Sequence, residues 1–165
     1  MLAIIIFFVL HWYLSLYCQS LFHHRYAAHS QFTMSKFWEK VFYIKSFIFQ
    51  GSSYLSPRAY GIMHRMHHAY ADTEDDPHSP KYDDNLFAMM WRTKKIYTSL
   101  FKDDKEAEEK FTEGVPDWES FDKIATNNIV RGFWVLGYIA FYAAFATTWW
   151  LWLLLPIQIV MGPFH

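Results

Sequence analysis

One cysteine, Cys18, is present in 165 residues. A lone thiol excludes a disulfide within the chain and any thiolate-built metal site. Placed inside an apolar stretch, Cys18 reads as a small buried hydrophobe. The formal net charge is only −1, so no basic field draws in nucleic acid. There is no glycine-rich phosphate loop and no internal repeat. Charge is also missing locally: Met1 to Phe22 and Gly132 to His165 contain no Asp, Glu, Lys or Arg. All formal charge therefore lies between Arg25 and Arg131.

The two uncharged ends read as membrane segments. At the helical rise, 22 residues span roughly 33 Å, enough to cross a bilayer core. A signal peptide would need a positive first region and a small-residue cleavage site, and neither precedes Leu2-Ala3-Ile4-Ile5-Ile6. Membrane segments are expected at about 1–22 and 133–149, with the start of another at 150–165, where Pro156 interrupts the pattern. Arg25, Lys36, Lys40 and Arg131 flank them and place the middle region on the cytoplasmic side. The expected fold is all-α: one domain over 1–165, a multi-pass integral membrane helical bundle in contact with membrane lipid.

The charged middle divides further. Phe37 to Tyr54 is apolar but broken by Glu39, Lys40 and Lys45, which suits an interfacial helix or a shallow hairpin. A helix is expected from Pro57 to about Ala71, and the acidic run to Pro77 reads as a loop. Leu86 to Lys110 reads as a surface helix with a solvated charged tail. Gly114 to Asp117 reads as a turn, with Asp117 capping a helix that runs towards Arg131.

Six of the nine histidines fall in two clusters: His23, His24 and His29, then His64, His67 and His68. Imidazole is the commonest protein metal ligand. Positions i, i+3 and i+4 share one helix face, so His64, His67 and His68 can address one ion or a pair. On a straight α-helix His24 and His29 lie about 140° apart, so they either flank a centre or are brought together by a bend. Imidazole suits zinc, copper, iron and nickel. Asp72, Glu74, Asp75 or Asp76 can accept the second ring N–H of a ligating histidine. His23 reads as an interfacial or supporting residue, His78 as a structural hydrogen-bonding one, and His11 as a packed residue needing a polar partner. The aromatics from Phe133 to Trp152 read as interface belt and helix packing.

Three motifs together resemble the integral-membrane fatty acid desaturase superfamily, its acyl-CoA desaturase branch most closely. They are His24-Arg-Tyr-Ala-Ala-His29, His64-Arg-Met-His67-His68, and the following Ala-Asp-Thr-Glu-Asp-Asp-Pro-His. The resemblance implies two irons held by histidines on cytosolic helices, here by His24, His29, His64, His67 and His68. It implies dioxygen-dependent introduction of a double bond into a long acyl-CoA or acyl-lipid chain. Electrons would come through a reductase and a b-type cytochrome or ferredoxin.

The family's third histidine box has no counterpart here. His165 is the only histidine after His78, so the chain reads as an incomplete desaturase domain. The expectation is that 1–165 alone binds iron poorly and is inactive. The alternatives are a lipid or alkane hydroxylase of the same superfamily and an inactive membrane-anchored remnant.

Overall fold

The computed structural model describes residues 1–102 and 107–164. Among them every regular element is helical, which gives the expected all-α class. The chain divides into two compact units. One holds Met1–Phe22, Met34–Leu55 and the stretch from Trp118 onward; the other holds His23–Thr33 and Ser56–Asp117.

In the first unit, α1 (Leu2–Cys18) and α7 (Asn128–Phe145) are the apolar helices. Helical stretches Leu2–Ala28 and Asn128–Phe145 are long and apolar enough to cross a membrane. Their polarity is inverted. The buried face of α1 is Ile4, His11, Ser15 and Cys18, and that of α7 is Tyr138 and Tyr142, while Leu2, Leu10, Ile129, Phe133 and Leu136 are exposed. The inward polar groups satisfy one another. Tyr142 donates to Gln158 Oε1 at 2.8 Å, Gln158 Nε2 lies 3.2 Å from His11 Nδ1, and His11 Nε2 lies 3.4 Å from Tyr138 Oη. His11 thus has the partner its setting demands. Ile4, Tyr142 and Leu151 form the apolar core beside this chain of bonds.

α2 (Lys36–Gln50) is a single helix, so the hairpin alternative for 37–54 is set aside. It buries Glu39, Tyr43, Ser46 and Gln50 on one face. Phe22 packs on Phe42 and Tyr43 at 5.5 and 5.3 Å. α2 ends in a 3-10 turn, Gly51–Ser53. The short α6 (Glu119–Ala125) is followed by Asn127, whose side chain accepts from Ile129 N–H and starts α7. This corrects the expected continuous helix from Asp117. Asp117 caps nothing; Trp118 precedes α6, and Asp117 belongs to the second unit, where it pairs with Arg58 of that same unit at 3.7 Å. α8 (Leu154–Ile159) follows a 3-10 turn, Trp149–Leu153.

In the second unit, α3 (Pro57–Tyr70) begins on a strong local signal: Ser56 accepts from Ala59 N–H at 3.3 Å, with Pro57 in the first turn. That pairing satisfies one orphan donor and presets the backbone. Asn85 caps α4 (Leu86–Phe101) in the same way. The expected helix to Lys110 therefore stops nine residues early. Asp103 to Glu106 lie outside the described residues, and a single turn, α5 (Glu109–Thr112), follows. Ile62, Leu100, Phe111 and Val115 form this unit's core.

Two glycines take left-handed backbone: Gly51 at φ 54° and Gly114 at φ 68°. At Gly51 a Cβ would run into the Tyr138 hydroxyl, whereas at Gly114 it would meet open space. Left-handed backbone costs a residue with a Cβ about 1–2 kcal/mol, and overpacking adds about 1–3 kcal/mol. Gly51→Ala is therefore expected to destabilise the protein by about 2–5 kcal/mol and Gly114→Ala by only about 1–2 kcal/mol. Thermal unfolding of both variants in detergent checks the difference, and equal losses would discard the close approach at Gly51.

Candidate metal centre

Helix winding settles how His24 and His29 meet. From Gln19 to Ala28 the chain is π-wound, with i→i+5 bonding. The His29 N–H donates to the His24 carbonyl at 3.0 Å. Five residues now make roughly one turn, so the two rings meet edge-on on one side, 4.5 Å apart between centroids. The 140° separation of an α-helix does not apply, and the chain stays helical to Ala28. π-winding of this kind recurs at functional sites.

α3 brings the second cluster to the same place within this unit. His29 Nε2 lies 3.2 Å from His24 Nε2 and 3.2 Å from His64 Nε2, and His68 Nε2 lies 3.0 Å from His64 Nε2. One nitrogen from each of His24, His29 and His64 falls within 4.8 Å of the other two. Imidazole–metal bonds are about 2.0–2.1 Å long, so nitrogens at neighbouring positions around one ion sit about 3.0–3.4 Å apart. The observed separations fit. The donors are all imidazole, a set that suits iron, zinc, copper or nickel.

His67 lies at the edge of this group. Its ring is 5.7 Å from that of His68 and 6.2 Å from that of His64. Its Nδ1 is 2.8 Å from Asp76 Oδ1. Of the four carboxylates the sequence offered, Asp76 is the one behind a histidine. His23 is fully buried and meets Tyr60 edge-on. His78 has a structural contact: Thr93 Oγ1 donates to the Pro77 carbonyl, so it accepts from His78 Nδ1 at 3.1 Å. His165 lies outside the described residues.

Electrostatics hold His64 and His29 neutral. Burial and then the neighbouring histidines, His24 and His68 foremost, pull His64 from 6.5 down to about 3. The same causes lower His29, burial first. At neutral pH these imidazoles are free bases, the form a metal requires. Burial alone would raise the Asp76 carboxyl. Hydrogen bonds from His67 and from the backbone N–H groups of His78 and Asp72 outweigh it and hold Asp76 below the usual range.

Sequence reasoning did not find the work of Arg65, between His64 and His67. Its Nε donates to the Ala28 carbonyl at 2.7 Å and its Nη1 to the Glu113 carbonyl at 2.7 Å. Weaker bonds reach the carbonyls of Ala27 and Phe111 and the Ser30 hydroxyl. One guanidinium thus ties the end of the π-wound segment to α3. Those acceptors are backbone groups far away in sequence, and no spacing rule reveals them. Gly61 allows the approach, since a Cβ there would sit 3.2 Å from the Ala27 carbonyl.

Comparison with known proteins adds one finding. The sequence profile of the family described as Fatty acid desaturase matches residues 1–164. Curated proteins and solved structures give no match.

Two outcomes are expected of the metal-free protein. Lysine cannot reproduce the forked donation of Arg65, and hydrogen bonds from charged groups contribute about 1.5–3 kcal/mol. Arg65→Lys should cost about 2–3 kcal/mol in thermal unfolding, and an unchanged midpoint would refute the strap. The second concerns pH. The folded pKa of His64 is below its unfolded value, so between 6.5 and about 3 the unfolded chain binds a proton the folded one does not. Stability is whole above 6.5 and lost as pH falls through this window. Melting curves from pH 7.5 to 4 in chelator check the slope, and a flat profile would refute it.

Proposed function

The chain belongs to the fatty acid desaturase family, and we propose that it serves oxygen-dependent desaturation of a long acyl chain at a histidine-held iron pair. His24, His29, His64, His67 and His68 are the ligands in this reading. The observation that carries it is the meeting of His24, His29, His64 and His68 through Nε2 at 3.0–3.2 Å. The family match favours iron among the metals that imidazole suits. It also supports a fatty acyl substrate and dioxygen. The finer assignments are an acyl-CoA or acyl-lipid substrate and electrons delivered by a b-type cytochrome or ferredoxin with its reductase.

The protein's own contribution is to hold neutral bases ready. The iron pair, when bound, supplies the redox chemistry that removes hydrogen from a saturated chain. His64 stays unprotonated far below neutrality, so protons do not compete for its lone pair near pH 7. Arg65 and the His29-to-His24 backbone bond fix where the first two imidazoles stand. The Asp76 carboxylate orients His67.

We place the chain in a membrane, multi-pass, with the histidine-bearing segments on the cytoplasmic face. The inverted polarity of α1 and α7 supports this. Apolar side chains turned outward are costly in water and are solvated by lipid. The positive charges flanking the apolar segments support the orientation.

The test has two readouts. The chain, purified in detergent and loaded anaerobically with ferrous iron, is measured for bound metal beside His64→Ala and His68→Ala. Each variant is expected to lose most of the bound iron. Membranes expressing the chain are then analysed for fatty-acyl products by gas chromatography. A new double bond supports the proposal and a hydroxylated chain redirects it to the hydroxylase reading. Iron binding that survives His64→Ala would sink the ligand assignment.

A further inference from the structure

We propose that Asp76 is a positioning residue that fixes the tautomer of His67, so that His67 offers Nε2 as its lone-pair nitrogen. The inference rests on the reading of His67 as a metal ligand.

An ionised carboxylate is an acceptor only. Asp76 Oδ1 is 2.8 Å from His67 Nδ1, so the proton of a neutral His67 resides on Nδ1. Nε2 is then the unprotonated atom. His24, His29, His64 and His68 meet one another through Nε2 as well. Asp76 therefore gives His67 the donor atom that the other four present. The opposite tautomer would leave Nε2 protonated and unable to bind a metal.

Asp76 suits this role because it cannot turn away. It is fully buried. Its Oδ1 also accepts the His78 N–H at 2.8 Å, and Oδ2 accepts the Asp72 N–H at 3.0 Å. Its own carbonyl accepts from Arg92 Nη1 at 2.7 Å. Arg92 is held in turn by Asp83 and the Ser79 carbonyl. Asp72 reaches the same loop through its backbone, at φ 59°. The acidic loop thus stations one carboxylate at Nδ1 of one histidine. The general worth of such a partner is about 10–100-fold in metal affinity.

The experiment uses the whole chain in detergent. Long-range proton–nitrogen NMR on protein labelled with 15N-histidine, without metal at pH 7.5, reads the tautomer of His67, with His67→Gln to assign its signals. The Nδ1–H form is expected, and an Nε2–H form would overturn the proposal without any variant at Asp76. Asp76→Asn then offers an amide that can turn its N–H towards Nδ1. The expected result is a shift of His67 towards the Nε2–H form and a 10–100-fold loss of ferrous-iron affinity against a chromophoric chelator. A purely structural carboxylate would leave the tautomer in place, and affinity within threefold of the parent would also overturn the proposal. Should the parent chain bind no ferrous iron, the functional reading fails, while the metal-free tautomer still decides whether Asp76 positions His67.

Discussion

Where imidazole nitrogens meet at about 3 Å, protonation of the ring at their centre, His64, is strongly disfavoured. A proton there would put a cation in a partly buried place beside other imidazoles, and burial first, then those neighbours, pull His64 well below its ordinary value. Each supporting device in this unit serves the convergence. π-winding turns His29 onto the side of His24, which an α-helix would not do. Arg65 holds the carbonyls where the π-wound segment ends, so its position relative to α3 is fixed by directional bonds.

His64, His67 and His68 were legible because i, i+3 and i+4 share a helix face, and Pro57 announced where that helix begins. The all-α class was legible from long uncharged stretches. The joining of His24 to His29 was not, because the spacing rule assumes 3.6 residues per turn and ten residues here are wound otherwise. Arg65 was hidden because its partners are main-chain oxygens up to 48 residues away. Four neighbouring carboxylates looked equivalent in sequence, and only the folded loop distinguishes Asp76 from Asp72, Glu74 and Asp75. The early end of α4 and the break before α7 were missed for a simpler reason. Helical composition continues through both places, while the caps at Asn85 and Asn127 mark beginnings more clearly than sequence marks ends.

In the other unit the polarity of the helices is reversed. α1 and α7 turn tyrosine, histidine and serine inward and leave leucine, isoleucine and phenylalanine outside. Between helices in lipid there is little hydrophobic drive, and close packing with polar bonds takes its place. The bonds linking Tyr142, Gln158, His11 and Tyr138 fit that regime. All four groups are neutral hydrogen-bonding partners in this arrangement, which avoids the cost of a buried ion. Gly51 contributes by having no side chain where the Tyr138 hydroxyl comes down.

The apolar helices α1 and α7 and the surroundings of the histidine cluster therefore bury polar groups under different terms. Among the apolar helices, polarity is admitted as uncharged groups that close on one another. Beside the histidine cluster one full charge is admitted, on Asp76, and it is surrounded by His67 Nδ1 and two backbone N–H groups. An isolated buried carboxylate would protonate instead of remaining an anion. A protonated Asp76 would no longer dictate where His67 keeps its proton. The donors around the carboxylate thus do more than stabilise a loop: they preserve the charge that sets the tautomer, and the tautomer decides which nitrogen is available to a metal.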